Sequence, residues 1–234
     1  MPEALDAVAY YALSLGYDIR PKVVLVEGTT DVALFGMAAR FELEVTGRKL
    51  IGDDLCFIAA GEGDRGGTLG VIRELMCFRG LCRAFLLPNG RPRYRVVALF
   101  DNDRAGRLSL QEARRLDASL LEFKDLFLLQ PVMPLTSNLD PISLKKVFER
   151  DNQAYKGLDW EPEDLLPESF IACFAEQYPL AVARRNGVNG LAHRDYTRDG
   201  KARLHRFIKE NAVRQDLLKV IEVLKAMRCY LGLV

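Results

Sequence analysis

The chain is poor in the residues that mark extracellular or zinc-bound scaffolds. Cys56, Cys77, Cys82, Cys173 and Cys229 are odd in number and lack zinc-ligand spacing, so they read as reduced core thiols of a cytoplasmic protein. The two histidines, His193 and His205, are twelve apart and share no metal-ligand spacing either. Charge of one sign is also missing. Lys and Arg number 33 against 32 Asp and Glu, a formal net charge of +1, which excludes a globally basic nucleic-acid binder and leaves any phosphate affinity to local patches. No apolar run is long enough to span a bilayer, and Met1 to Val8 carries Glu3 and Asp6 in place of a basic start, so neither membrane nor secretory targeting is expected. The 234 residues, 49% hydrophobic and 28% charged, suffice for a sizeable core and give no sign of disorder.

What is present centres on residues 96–106. Val96 to Phe100 is a continuous apolar run of the kind that forms a strand buried on both faces. Asp101 and Asp103 follow it two apart, so on an extended chain both carboxylates leave the strand tip on one side. Like charges so close repel unless a cation lies between them, and a hard divalent ion with a preference for oxygen, Mg²⁺ or Mn²⁺, suits the position. Gly106 then permits a tight turn into a helix. Upstream, Lys22 to Val26 repeats the layout: a β-rich run ends at Glu27 and Gly28, Thr29 or Thr30 caps a helix, and Asp31 falls in its first turn. In an open parallel sheet such tips share one edge, where ligands bind.

Val-Glu-Gly-x-x-Asp (26–31) followed by Phe-Asp-x-Asp-x-x-Gly (100–106) resembles the Toprim signature of type IA topoisomerases, bacterial primases, maturation nucleases and the overcoming-lysogenization-defect (OLD) nucleases. The Asp four residues after the Glu is most similar to the OLD-like branch. Within it, the chain looks most like the free-standing effector subunit of PARIS-type phage-defence systems, which works with a separate ABC-type ATPase. The resemblance covers roughly residues 22–130. It implies an α/β fold with a Rossmann-like central parallel sheet flanked by helices over residues 1–135, and a mostly helical extension over 136–234 packed on that core. It also implies a Mg²⁺-dependent endonuclease in which Asp31, Asp101 and Asp103 hold one or two ions, Glu27 completes a metal site or acts as general base, and DNA or RNA, including tRNA, is cut. The missing tyrosine-bearing and zinc-binding domains argue against a topoisomerase and a primase. An RNA-maturation nuclease, or a Toprim module that binds without cutting, are the other readings.

The intervening elements follow by pattern. Helices are expected at Ala4 to Leu15, Thr30 to Phe41, Leu69 to Leu81 and Arg104 to Phe123, and strands at Leu55 to Ala60 and Leu126 to Gln130. The glycine-dense stretch Gly61 to Gly67 reads equally as a phosphate-approaching loop, with Glu62 or Asp64 near a second metal, and as a flexible turn. Arg79, Arg83, Arg91, Arg93 and Arg95 form a run without an acidic residue, either a solvated loop or a phosphate patch. Beyond Ser137 no alternating strand pattern stands out. Pro162 to Leu166 resembles the Ile-Glu-x-x-Leu element of OLD nucleases, which makes Glu163 a fifth candidate carboxylate, with Asp164 next; a plain acidic helix start is the other reading.

Arg184, Arg185, Arg194, Arg198, Lys201, Arg203 and Arg206, opposed by Asp195 and Asp199, give a local +5 and the best candidate for a phosphate-binding surface; His193 and His205 read as members of it. Gly200-Lys201 resembles an OLD element whose lysine supports the reaction, a role that suits charge developing on a scissile phosphate. Leu217, Val220, Ile221, Leu224 and Met227 form one stripe on the last helix, to be covered by the domain itself or by a second copy in a homodimer.

Overall fold

The computed structural model describes residues 6–60 and 66–233. The elements run α1 (Ala7–Ser14), β1 (Lys22–Val26), α2 (Thr29–Thr46), β2 (Leu55–Ala59), α3 (Gly67–Ala84), β3 (Arg95–Phe100), α4 (Arg104–Leu116), β4 (Leu126–Leu128), α5 (Pro141–Asp151), α6 (Glu168–Gln177), β5 (Val182–Val188), β6 (Leu191–Tyr196), α7 (Arg198–Asn211) and α8 (Leu218–Tyr230). The first four strands form one parallel sheet in the order β2-β1-β3-β4. Alternation along β1 explains why both faces are covered. Val24 and Val26 belong to the core shared with α2 and α8, while Val23 and Leu25 belong to the core under α1, α3 and α4. The chain is therefore α/β with a Rossmann-like parallel sheet flanked by helices and a largely helical C-terminal part.

Sequence signals set most element ends. Asp103 caps α4, Asp140 caps α5 ahead of Pro141, and Thr197 caps α7 through its hydroxyl oxygen, which accepts from the Gly200 N–H at 3.0 Å. Gly47 ends α2 at φ +72°, a left-handed conformation that disfavours other residues. Four expectations are corrected. The helix expected over Arg104 to Phe123 stops at Leu116, and the chain turns through Phe123 at φ +63° into β4. The C-terminal part is not free of strands: β5 and β6 form an antiparallel hairpin, closed by Asn189 at φ +48° and Gly190 at φ +82°, the two positive angles that a tight hairpin turn requires. Cys56 and Cys82 are buried, but Cys77 and Cys173 are exposed. The arginine run is mostly structural: Arg79 binds Asp117 and Asp125, Arg83 binds Ser119, Arg93 binds Asp6, and Arg95 donates to the Lys124 carbonyl. Residues 1–5 and 61–65, including Glu62 and Asp64, lie outside the described residues.

The stripe on α8 is consumed within the chain. Val220, Ile221, Leu224 and Met227 are buried in the core that also holds Leu34, Phe35 and Ala38 of α2. Among the described residues no helix is long and apolar enough to cross a membrane. A charged clamp fixes the same contact: Glu42 on α2 is 2% exposed, lies 2.7 Å from Lys225 Nζ, and accepts from Arg214 Nη2 at 2.7 Å. Burial alone would raise its carboxyl, but Lys225 and Arg214 outweigh burial and hold it below the ordinary range. The stabilisation is therefore present above that range and lost as pH falls through it.

Replacing Arg214 and Lys225 together by methionine strands a buried carboxylate and is expected to cost about 3 kcal/mol in urea unfolding at neutral pH. Adding Glu42→Met should recover most of that loss. Equal stability of the double variant and the parent would remove the clamp from the account.

Candidate metal centre

β1 and β3 are adjacent, and the connections leave them in opposite directions along the sheet, so a crevice opens beyond their C-terminal ends. Glu27 and Asp101 meet there: the Asp101 backbone N–H donates to Glu27 Oε1 at 3.2 Å. Asp31, 6% exposed in the first turn of α2, accepts from the Gly28 N–H at 2.9 Å. Asp103 accepts from the Gly106 N–H at 2.7 Å as the cap of α4. Position 106 has no room for a side chain, since a Cβ would stand 1.9 Å from the Asp101 carbonyl oxygen. Glycine there lets α4 start directly behind the two aspartates.

The C-terminal part completes the crevice. Asn102 and Trp160 exchange backbone hydrogen bonds at 2.9 and 3.1 Å, and Trp160 is 1% exposed, so the segment after it is pinned beside the Asp101–Asp103 tip. That segment is a short 3₁₀ helix, Pro162–Leu165. It places Glu161 and Glu163 against α7: Lys201 Nζ lies 3.0 Å from Glu161 Oε2 and 3.1 Å from Glu163 Oε1, and His205 Nε2 lies 2.8 Å from Glu163 Oε1. Behind them Asp164 accepts from the backbone N–H groups of Glu161 and Arg194 and meets His193 Nδ1 at 2.7 Å. The hydrogen bond to Asp164 raises His193 to about 9 against the effect of burial, so this imidazole is charged at neutral pH and locks the 3₁₀ helix to β6.

The charges perturb one another. Burial pushes Glu27 up to about 7, and Asp103, Asp31 and Glu161 add to the rise against the Asp101 N–H. Burial and then Glu163 raise Asp31 to about 6, with the Gly28 N–H, Lys201 and His205 opposing. Asp101 is raised well above the usual carboxylate range by burial and then by Glu27, Asp31, Glu161 and Glu163. Glu163 goes the other way: burial is outweighed by its hydrogen bond from His205 and the charge of Lys201. Lys201 is raised for the matching reason, Glu163 and Glu161 outweighing burial, and is a fixed cation.

A hard divalent cation fits this donor set. The acceptors of the set are carboxylate oxygens, three of the carboxyls being held reluctant to ionise by burial and then by their acidic neighbours, and Glu163 Oε2 is buried with no hydrogen-bond partner among the described residues. As placed, no three His, Cys, Asp or Glu side chains among the described residues stand together as a ready-made cage. Asp31 and Asp103 each spend an oxygen on a helix cap, and Glu163 spends one on Lys201 and His205.

Of the residues expected from sequence, Glu27, Asp31, Asp101, Asp103, Glu163 and Lys201 are thus brought together. The basic set is not. Arg194 is corrected from a phosphate contact to a structural residue: it is 6% exposed and bound to Glu168, and His193 is buried too. Arg184, Arg185, Arg198, Arg203 and Arg206 are exposed, Arg185 pairing with Glu168 at 3.3 Å and Arg203 with Asp199 at 2.6 Å. Sequence reasoning missed Glu161 entirely and missed His205 as a partner of Glu163. The second was legible, because Lys201 and His205 are four apart and share a helical face. No family model, curated protein or solved structure matches this chain.

An acid raised on folding destabilises the fold once pH passes its unfolded value. The contribution of Glu27 is present below about pH 4.5 and lost as pH rises through about 7. In chelator the melting temperature is expected to fall between about pH 5 and 8, and Glu27→Gln to raise it at pH 8 by about 3 °C, near 1 kcal/mol for a chain of this size. His193 works in the same direction between about 6.5 and 9, so the difference between parent and variant is the quantity that decides. Mg²⁺ should stabilise the parent more at pH 8 than at pH 5. A melting temperature indifferent to Glu27→Gln at pH 8 would contradict the electrostatic description.

Proposed function

We propose that the chain is a Toprim-like, Mg²⁺-dependent nuclease that hydrolyses nucleic-acid phosphodiesters. The observation that carries the reading is the meeting of Glu27 and Asp101 at adjacent parallel strand tips, with Asp31 and Asp103 on the helices that follow and Lys201 held opposite by Glu161 and Glu163. Asp31, Asp101 and Asp103 would hold Mg²⁺ or Mn²⁺, Glu27 either completes that site or acts as general base, and Glu163, whose Oε2 has no hydrogen-bond partner among the described residues, is a further donor. The cation supplies Lewis-acid polarisation of the phosphoryl group and lowers the pKa of a water.

The chain's own residues divide the remaining work. Where Glu27 does not itself bind the cation it acts as general base, taking the proton of the attacking water as the new P–O bond forms and the P–O bond to the leaving oxygen breaks, the oxygen departing as an anion. Lys201 offsets negative charge gathering on the phosphoryl oxygens. His193 and the Glu161 backbone N–H both bind Asp164, which fixes the segment that presents Glu161 to Lys201. The resemblance to the OLD-like motif supports one biological setting: a cytoplasmic, toxic anti-phage effector kept inactive by an ABC-type ATPase and released on infection.

The expected result is cleavage of total DNA or RNA, tRNA included, by the wild-type chain in Mg²⁺, either alone or with the ATPase partner. Glu27→Gln and Asp101→Asn should each reduce the rate by at least about 100-fold, and Lys201→Met by a comparable factor. Gel analysis of the two polymers measures this. Cleavage that persists unchanged in both carboxylate variants would overturn the reading.

A further inference from the structure

A groove of about 700 Å³ opens between α2 and α7. It adjoins the carboxylate centre, because its lining includes Thr30, next to Asp31, and His205, which touches Glu163. Leu34, Met37 and Ile208 give it apolar walls, and Arg40, Arg206 and Lys209 are its charged residues; no acidic side chain lines it. Arg40 has an exposed pairing with Glu44 at 3.8 Å and lies over the Phe41 ring at 5.4 Å, and Arg206 and Lys209 are exposed with no ion pair among the described residues. A strongly cationic, partly apolar groove thus leads out of a strongly anionic crevice.

Gly36 adds an independent observation. It sits in the interior of α2, one turn before Arg40, and lines the groove. A Cβ there would meet nothing within 4 Å. Glycine is among the poorest residues for a helix interior, and here no neighbour requires it. Its effect is to keep the groove deep.

We propose that this groove seats a single strand of nucleic acid, with phosphates on Arg40, Arg206 and Lys209 and a base against Ala33 and Met37. The volume suits about one to two nucleotides, the size of an ordinary small-ligand pocket. Cations that track a backbone and apolar surface that receives bases are the two parts of a single-strand site. The placement next to the carboxylates rests on the nuclease reading and makes this the strand flanking the bond to be cut. It also revises the basic set: Arg40 and Lys209 enter the site, and Arg194 leaves it.

The test is fluorescence anisotropy with labelled 12-nucleotide single-stranded DNA and RNA and the corresponding duplexes, on the full chain carrying Asp101→Asn to prevent cleavage. Arg40→Gln, Arg206→Gln and Lys209→Gln combined should weaken single-strand binding at least about ten-fold and reduce the slope of log affinity against log salt by about 2. Gly36→Phe should weaken it as much with the slope unchanged. Replacing the exposed Arg91, Lys124 and Lys146, off the groove, by Gln should change it less than about two-fold. Thermal melts of each variant confirm folding. Absence of single-strand binding, a preference for duplex, or binding indifferent to both groove variants would overturn the proposal. Parallel cleavage by the wild-type chain, alone and with the ATPase partner, separates the two readings: a strand held in the groove but cut in neither case discards the nuclease and keeps the groove, and cutting independent of the groove does the reverse.

Discussion

Like charges held together in a water-poor crevice are the constraint on which the rest of this molecule depends. β1 and β3 lie side by side with their C-terminal ends aligned, which brings Glu27 against the Asp101 backbone N–H. Burial and mutual repulsion then act on both carboxyls, and on Asp31 behind them, in one direction. A fold built for stability alone would place amides or apolar groups at these positions. Instead the strain is held by what surrounds the tips: helix starts at Gly28 and Gly106 that donate N–H groups, and a lysine and a histidine on α7 that face Glu163.

The C-terminal part is therefore more than a cover for the sheet. Its core is continuous with that of α2, through Leu217, Val220, Leu224 and Met227, and Glu42 is clamped by Arg214 and Lys225 from it. The same part sends Glu161, Glu163 and Lys201 to the crevice through the backbone pairing of Trp160 with Asn102. Asn102, which separates the two aspartates in sequence, thus acts through its backbone, and the motif Asp101-Asn102-Asp103 serves both as a set of carboxylates and as a docking edge.

How much of this was legible in the chain follows from what each element depends on. Val23 to Val26 and Val96 to Phe100 are buried on both faces, so their strand character is written in continuous apolar runs, and the carboxylates after them mark the edge. The hairpin was written too, in Asn189-Gly190 between Val188 and Leu191, but its strands carry Arg184, Arg185, His193 and Arg194, and charge obscured the pattern. Arg194 shows the limit of counting charges: only the fold reveals that Glu168 takes its guanidinium out of the surface patch. Glu161 carried no local signal, because its place depends on a bridge between residues 58 apart, Asn102 and Trp160.

The most direct test of the central claim, that the crevice is a cation site held open by carboxylates reluctant to ionise, is calorimetric titration with Mg²⁺ or Mn²⁺ at pH 7 in two buffers of different ionisation enthalpy. The account predicts binding coupled to net proton release, since Glu27 and Asp101 must give up protons to the cation, and loss of both binding and release in Glu27→Gln combined with Asp101→Asn. Binding without proton release, or binding undiminished in that double variant, would contradict it.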